Sequence, residues 1–98
     1  MRTLMTVQMD TEATNHAVKD GSLAKTMQSA IEQLHAEAAY FTTRDGDRTA
    51  YIIFDLHDTN QIPEVAEPFF MGMNAKIDMA PVMNADDVQE GLARLPRM

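Results

Sequence analysis

Fifteen acidic residues against eight basic ones, a net charge of −7, and no cysteine mark a 98-residue acidic chain. That length leaves room for one domain, residues 1–98, and no separate catalytic lobe. The negative field repels phosphate backbones and anionic lipids, so nucleic acid and membrane are disfavoured as partners, and the missing thiols exclude disulfides, thiolate metal sites and Cys nucleophiles.

The first segment, Arg2 to Met9, alternates, with Met5, Val7 and Met9 on one side and Leu4, Thr6 and Gln8 on the other. A strand presents alternate residues to opposite faces, so this reads as a strand. Asp10 and Thr11 can cap a following helix, with Glu12 near its positive end. The helical region should break at Asp20-Gly21-Ser22, because glycine is a poor interior helix residue and serine can start a new turn. Beyond the break, Leu23, Met27, Ala30, Ile31 and Leu34 fall at helical spacing and form one apolar stripe.

His35 to Thr43 is read as a second strand. In the loop Arg44-Asp45-Gly46-Asp47-Arg48, the Asp-Gly pair supplies the positive φ angles of a tight hairpin. A two-residue loop makes Arg44 face Asp47 and Tyr40 face Tyr51, with Phe41 on the face of Ala50 and Ile52. A three-residue loop would invert that parity. The next strand, Thr49 to His57, is the most strand-like stretch of the chain. One face carries Ala50, Ile52, Phe54 and Leu56, and the other Tyr51, Ile53, Asp55 and His57. The apolar run Ala50 to Phe54 is far too short to span a bilayer. With no secretory pattern at the N-terminus, the expected location is cytoplasmic.

Asp58-Thr59-Asn60 can start a helix, and Pro63 suits a first turn. Ile62, Val65, Ala66, Phe69 and Met73 make its stripe. Pro68 removes one hydrogen bond, which predicts a kink or two short pieces, and Gly72 or Asn74 should end it. Ala75 to Val82 reads as the last strand, with Pro81 at a sheet edge. Asn84-Ala85-Asp86-Asp87 then opens a short terminal helix with a stripe of Val88, Leu92 and Leu95, stopped at Pro96.

The order β-α-β-β-α-β plus a tail helix is that of a ferredoxin-like α+β fold, a four-stranded antiparallel sheet with its helices on one face. The other face would carry Tyr51, Ile53 and Tyr40, too apolar to stay wet as one patch. Two sheets packed face to face in a two-fold homodimer would cover it.

Several segments strengthen this reading: Glu37-Ala38-Ala39-Tyr40-Phe41-Thr42, Arg48-Thr49-Ala50, Phe54-Asp55, Gln61-Ile62-Pro63, Ala66-Glu67-Pro68-Phe69-Phe70, Asn74-Ala75 and Pro81-Val82-Met83-Asn84. Together they resemble a small bacterial family within the dimeric α/β-barrel superfamily. The resemblance spans nearly the whole chain and implies a homodimer whose sheets form a barrel. It carries no catalytic set across, since that superfamily spans cofactor-free monooxygenases, isomerases, haem enzymes and sensing domains. The tryptophan of the haem-degrading branch has no counterpart in a chain without Trp.

Four residues form the candidate catalytic set: Tyr40, Tyr51, Asp55 and His57, with Arg48 or Asn74 as possible neighbours. An Asp hydrogen-bonded to a His can act as an acid–base pair, and a tyrosine hydroxyl can donate to a developing oxyanion. The plainer reading places the tyrosines in the dimer core and makes Asp55 and His57 the polar end of a strand. No cofactor and no metal is expected. His35 with Glu37, and Asp55 with His57, are pairs without the further ligands a site needs, and the nine methionines read as core fillers. The expected function is homodimeric binding of a small apolar molecule in a cleft between sheet and helices. The alternatives are a cofactor-free monooxygenase or isomerase and a structural dimer without a ligand, its cleft filled by Phe54, Phe69, Phe70 and methionines.

Overall fold

The computed structural model describes residues 1–97. Its elements are β1 (Arg2–Gln8), α1 (Thr11–Lys19), α2 (Ser22–Gln33), β2 (Ala38–Arg44), β3 (Asp47–Asp55), α3 (Gln61–Met73), β4 (Lys76–Pro81) and α4 (Ala85–Ala93). The four strands form one antiparallel sheet in the order β2-β3-β1-β4. This α+β arrangement is consistent with a ferredoxin-like fold.

Pleating sorts the two faces. Met5 pairs with Ile52 and Met79, and Val7 with Ala50 and Ile77. These residues face the helices, where Met27 of α2 and Phe69 and Met73 of α3 close over them in one buried cluster with Phe54 and Ala75. The centre of the space between sheet and helices is thus filled by side chains.

Turn chemistry sets the register. Asp45 and Gly46 have φ of 52° and 82°, the positive angles of a type I′ two-residue loop. Arg44 accordingly pairs with Asp47, and Tyr40 with Tyr51. The helical region breaks where glycine demands it, with Gly21 at φ 80° between α1 and α2. Asn74, at φ 46°, ends α3. In α4, Asn84 accepts from the Asp87 amide at 2.8 Å while Asp87 accepts from the Asn84 amide at 3.1 Å, a reciprocal capping box.

Two expectations are corrected. His35 does not begin a strand. It sits at φ 50° just past α2, its amide donating to Glu32 O and the Ala36 amide to Ile31 O, both at 3.1 Å. That is the Schellman closure of a helix, in which a left-handed residue ties off the last carbonyls. Strand β2 begins only at Ala38, so His35 and Glu37 share no strand face. Pro68 does not divide its helix, since α3 runs unbroken over Gln61–Met73. Pro68 and Glu64 are both exposed, so the carbonyl that loses its helical partner can be hydrated.

Ile52 is fully buried at the centre of the sheet. Ile52→Ala should cost about 2–5 kcal/mol in urea unfolding, whereas Thr42→Ala on the exposed edge strand should stay within about 0.5 kcal/mol.

Candidate functional site

The face turned away from the helices carries Leu4, Thr6 and Gln8 of β1, Thr49, Tyr51, Ile53 and Asp55 of β3, and Ala38, Tyr40 and Thr42 of β2. Lys76, Asp78 and Ala80 of β4 complete it. Among the described residues, the helical members of the buried cluster all belong to the opposite side. Tyr40 is 65 % exposed, while Tyr51, Ile53 and Leu4 are half-buried.

Asp55 and His57 meet as their spacing implies, with His57 Nδ1 3.4 Å from Asp55 Oδ2. Both side chains are open to solvent, at 75 % exposure for His57 and 61 % for Asp55. His57 lies beyond the end of β3, where its backbone amide donates to Gln61 Oε1 at 2.8 Å. The other Asp55 oxygen accepts from the terminal ammonium of Met1. That hydrogen bond above all, with the positive charges of the terminus, His57 and Arg2, holds the Asp55 carboxyl below the usual carboxylate range against the opposing effect of burial. Asp55 is thereby kept as a carboxylate, a weaker proton acceptor than an ordinary Asp.

The tyrosines stand apart from this pair. Tyr51 lies four residues from Asp55 along the strand, about 13 Å at the rise of a β-strand, and Ile53 and Ala38 occupy the intervening face. The structure therefore brings together Tyr40 with Tyr51, and Asp55 with His57, but not the four as one site. Arg48 faces the helices instead, its guanidinium donating to Thr11 O at 3.1 Å, Thr14 Oγ1 at 2.7 Å and Asn15 Oδ1 at 3.0 Å. Asn74 closes α3 next to Lys76, which pairs with Gln8 at the far end of the sheet from Asp55.

Sequence reading missed a polar cluster around Arg2. Its Nε donates to Glu37 at 2.8 Å and its Nη1 to Asp87 at 3.5 Å, and the Glu37 bond and charge raise the already high pKa of the guanidinium. Arg2, Glu37, Phe54 and Asp55 line an open hollow of about 370 Å³. The strand pairing that places Arg2 beside Asp55 is a long-range contact with no local signal.

Two further recesses lie among the helices. One, about 400 Å³, runs between α2 and α3 past Lys25, Gln33, Gln61 and Glu64. The other, about 430 Å³, is apolar and lined chiefly by Val18, Leu23, Met27, Ile31 and Phe41, between the α1–α2 corner and edge strand β2. Among the described residues, no three His, Asp or Glu side chains converge as metal ligands, and no helix is long and apolar enough to cross a membrane.

No family model matches this chain, and no curated protein does. Among solved structures, the de novo designed protein Ferredog-Diesel is similar, at 13% identity and a TM-score of 0.45, over 82% of this chain and 83% of that one.

The Asp55 contacts predict an acid-side effect. A carboxyl whose pKa is depressed by folding adds stability above its unfolded value of about 3.9, and that stability disappears as pH falls through the folded value. Asp55→Asn should therefore lower stability at pH 7 and flatten the loss below about pH 4. Thermal unfolding of both proteins across pH 2–7 checks this, and carboxyl NMR should place the Asp55 midpoint below that of a free aspartate.

Proposed function

We propose that the chain acts as a homodimer of the dimeric α/β-barrel kind, in which two copies pack their open sheet faces together, and that its role is assembly rather than turnover. The observation that carries this reading is the unpartnered strip Leu4, Tyr51, Ile53, Ala38 and Tyr40 on a sheet whose other side is already filled. Sheets with one apolar face left over pack well at about 10 Å from another sheet. Tyrosines suit such a junction, since the ring can be buried while the hydroxyl finds a partner at the rim.

A cofactor-free monooxygenase or isomerase has less support. Its proposed proton handlers fall into two separated pairs, and Asp55 and His57 lie open to solvent rather than in a water-excluding pocket. A small apolar ligand is the second reading. The cleft beneath the sheet holds Phe54, Phe69 and Met73, so such a molecule would use the apolar recess beside Phe41.

Sedimentation equilibrium at tens of micromolar should find a species of twice the chain mass. Tyr51→Asp places a charge in the buried centre of the proposed junction and should weaken the dimer by at least about tenfold, the scale of an interface hot spot. A Tyr51→Asp protein that dimerises like the parent would refute sheet-to-sheet packing.

A further inference from the structure

The end of the chain does not pack like the rest. Every residue from Met83 to Arg97 is exposed, including the stripe of Val88, Leu92 and Leu95, with Leu92 at 60 %. The Arg2–Asp87 pair at 3.5 Å ties its first turn to the sheet. The protomer is correspondingly elongated. Its radius of gyration is 15.9 Å and its extents are 57 × 27 × 18 Å, where a compact chain of this length has a radius near 13 Å. Yet α4 is well specified, with a full capping box and acids in its first turn. A formed helix with an uncovered apolar stripe calls for a surface to lie on.

The same chain offers that surface. The recess lined by Val18, Leu23, Met27, Ile31 and Phe41 is apolar and open, and Phe41 at its rim is 57 % exposed. Within one protomer the two features stand apart. The recess adjoins β2 at one edge of the sheet, and α4 leaves β4 at the other; its first turn reaches back to Arg2 through Asp87, but no α4 residue lines the recess. In a second copy the geometry reverses. Two sheets packed face to face about a two-fold axis parallel to their strands set the β4 edge of one over the β2 edge of the other. Pro81 pairs with Thr3, which pairs with Phe54, and Ala38 pairs with Ile53. The partner's α4 therefore departs level with the start of β2. Its three-residue lead, Val82 to Asn84, reaches about 10 Å, the separation of packed sheets.

We propose that α4 of each copy crosses the β2 edge of the other and seats Val88, Leu92 and Leu95 against the recess beside Phe41. This rests on the homodimer reading and deepens it by naming a second, reciprocal contact. Area favours it. Four strands of six to nine residues, about 4.8 Å apart, make a face of roughly 450 Å² per copy, so two such faces alone fall below the roughly 1,200–2,000 Å² of stable specific interfaces. Two seated helices, each about 14 Å long and 10 Å across, bring the total into that range. The small-ligand reading of the recess and this one exclude each other.

The chain has no cysteine, which makes cross-linking a clean test. Leu92→Cys protein mixed with Ile31→Cys protein should give a mixed disulfide dimer on mild oxidation, in excess of either self-linked product. In parallel, the double variant Val88→Asp/Leu92→Asp should raise the dimer dissociation constant by about tenfold or more. Its circular dichroism should be unchanged, because both side chains are exposed in the protomer. It should also bind more of the apolar dye ANS at the uncovered recess. Three results would overturn the proposal. One is a double variant with a dissociation constant within about twofold of the parent while Tyr51→Asp breaks the dimer, which leaves the sheet packing standing and removes the helix exchange. Another is a mixed disulfide no more abundant than the self-linked products. The last is a parent protein that stays monomeric when concentrated, which removes both readings together.

Discussion

A pleated sheet has two faces, and the helices of this chain cover one. That constraint governs the rest of the structure. The central strands β1 and β3 turn Met5, Val7, Ala50, Ile52 and Phe54 toward α2 and α3, and these residues form the dry interior with Met27, Phe69 and Met73. Alternation then leaves Leu4, Tyr51 and Ile53 on the other side as a geometric consequence. A one-residue slip at either pairing would exchange the two sets. The Asp45-Gly46 turn therefore decides more than a loop, because it fixes which face of β2 carries Tyr40 and which carries Phe41.

Where local chemistry alone determines a conformation, the sequence was readable. The helix break at Gly21, the Asp-Gly hairpin and the helix start at Asn84 each depend on residues within a few positions of one another. The misreadings arose where tertiary context or solvent overrides the usual residue preference. His35 adopts a left-handed helix closure normally signalled by glycine, so the segment resembled the start of a strand. Of the kink or division that Pro68 predicts, the division does not occur, because a proline on the wet side of a helix costs one hydrogen bond whose orphaned carbonyl water can satisfy.

The candidate site divides along the same line. Asp55 and His57 are two apart, and strand periodicity alone brings them to one side, where they meet at 3.4 Å. Tyr40 facing Tyr51 follows from the turn. What periodicity does not convey is distance along the strand, and four residues of β-structure separate two chemistries that share a face. Nor does it convey the partners that arrive from elsewhere: the Met1 ammonium on Asp55, and Glu37 and Asp87 on Arg2. These satisfy the charged end of the sheet and keep Asp55 ionised, which fits a polar rim better than a proton relay.

The distribution of charge bears on whether two such chains can associate at all. A net charge of −7 on each copy opposes their approach. On the open face, however, Arg2, Arg44 and Lys76 are matched by Asp47, Asp55 and Asp78. The entire excess therefore lies on the helices and loops, away from the centre of the proposed junction. At physiological ionic strength, charges separated by more than about 8 Å are largely screened from one another. Repulsion between two copies is then weakest where the apolar strip is widest. A sheet that is apolar at its middle and balanced in charge around it can meet a copy of itself without a like-charge clash forced by composition, provided the register sets opposite signs together. That requirement favours a single two-fold arrangement over sliding alternatives, since each shift along the strands moves Arg2 and Asp55, or Lys76 and Asp78, against different neighbours.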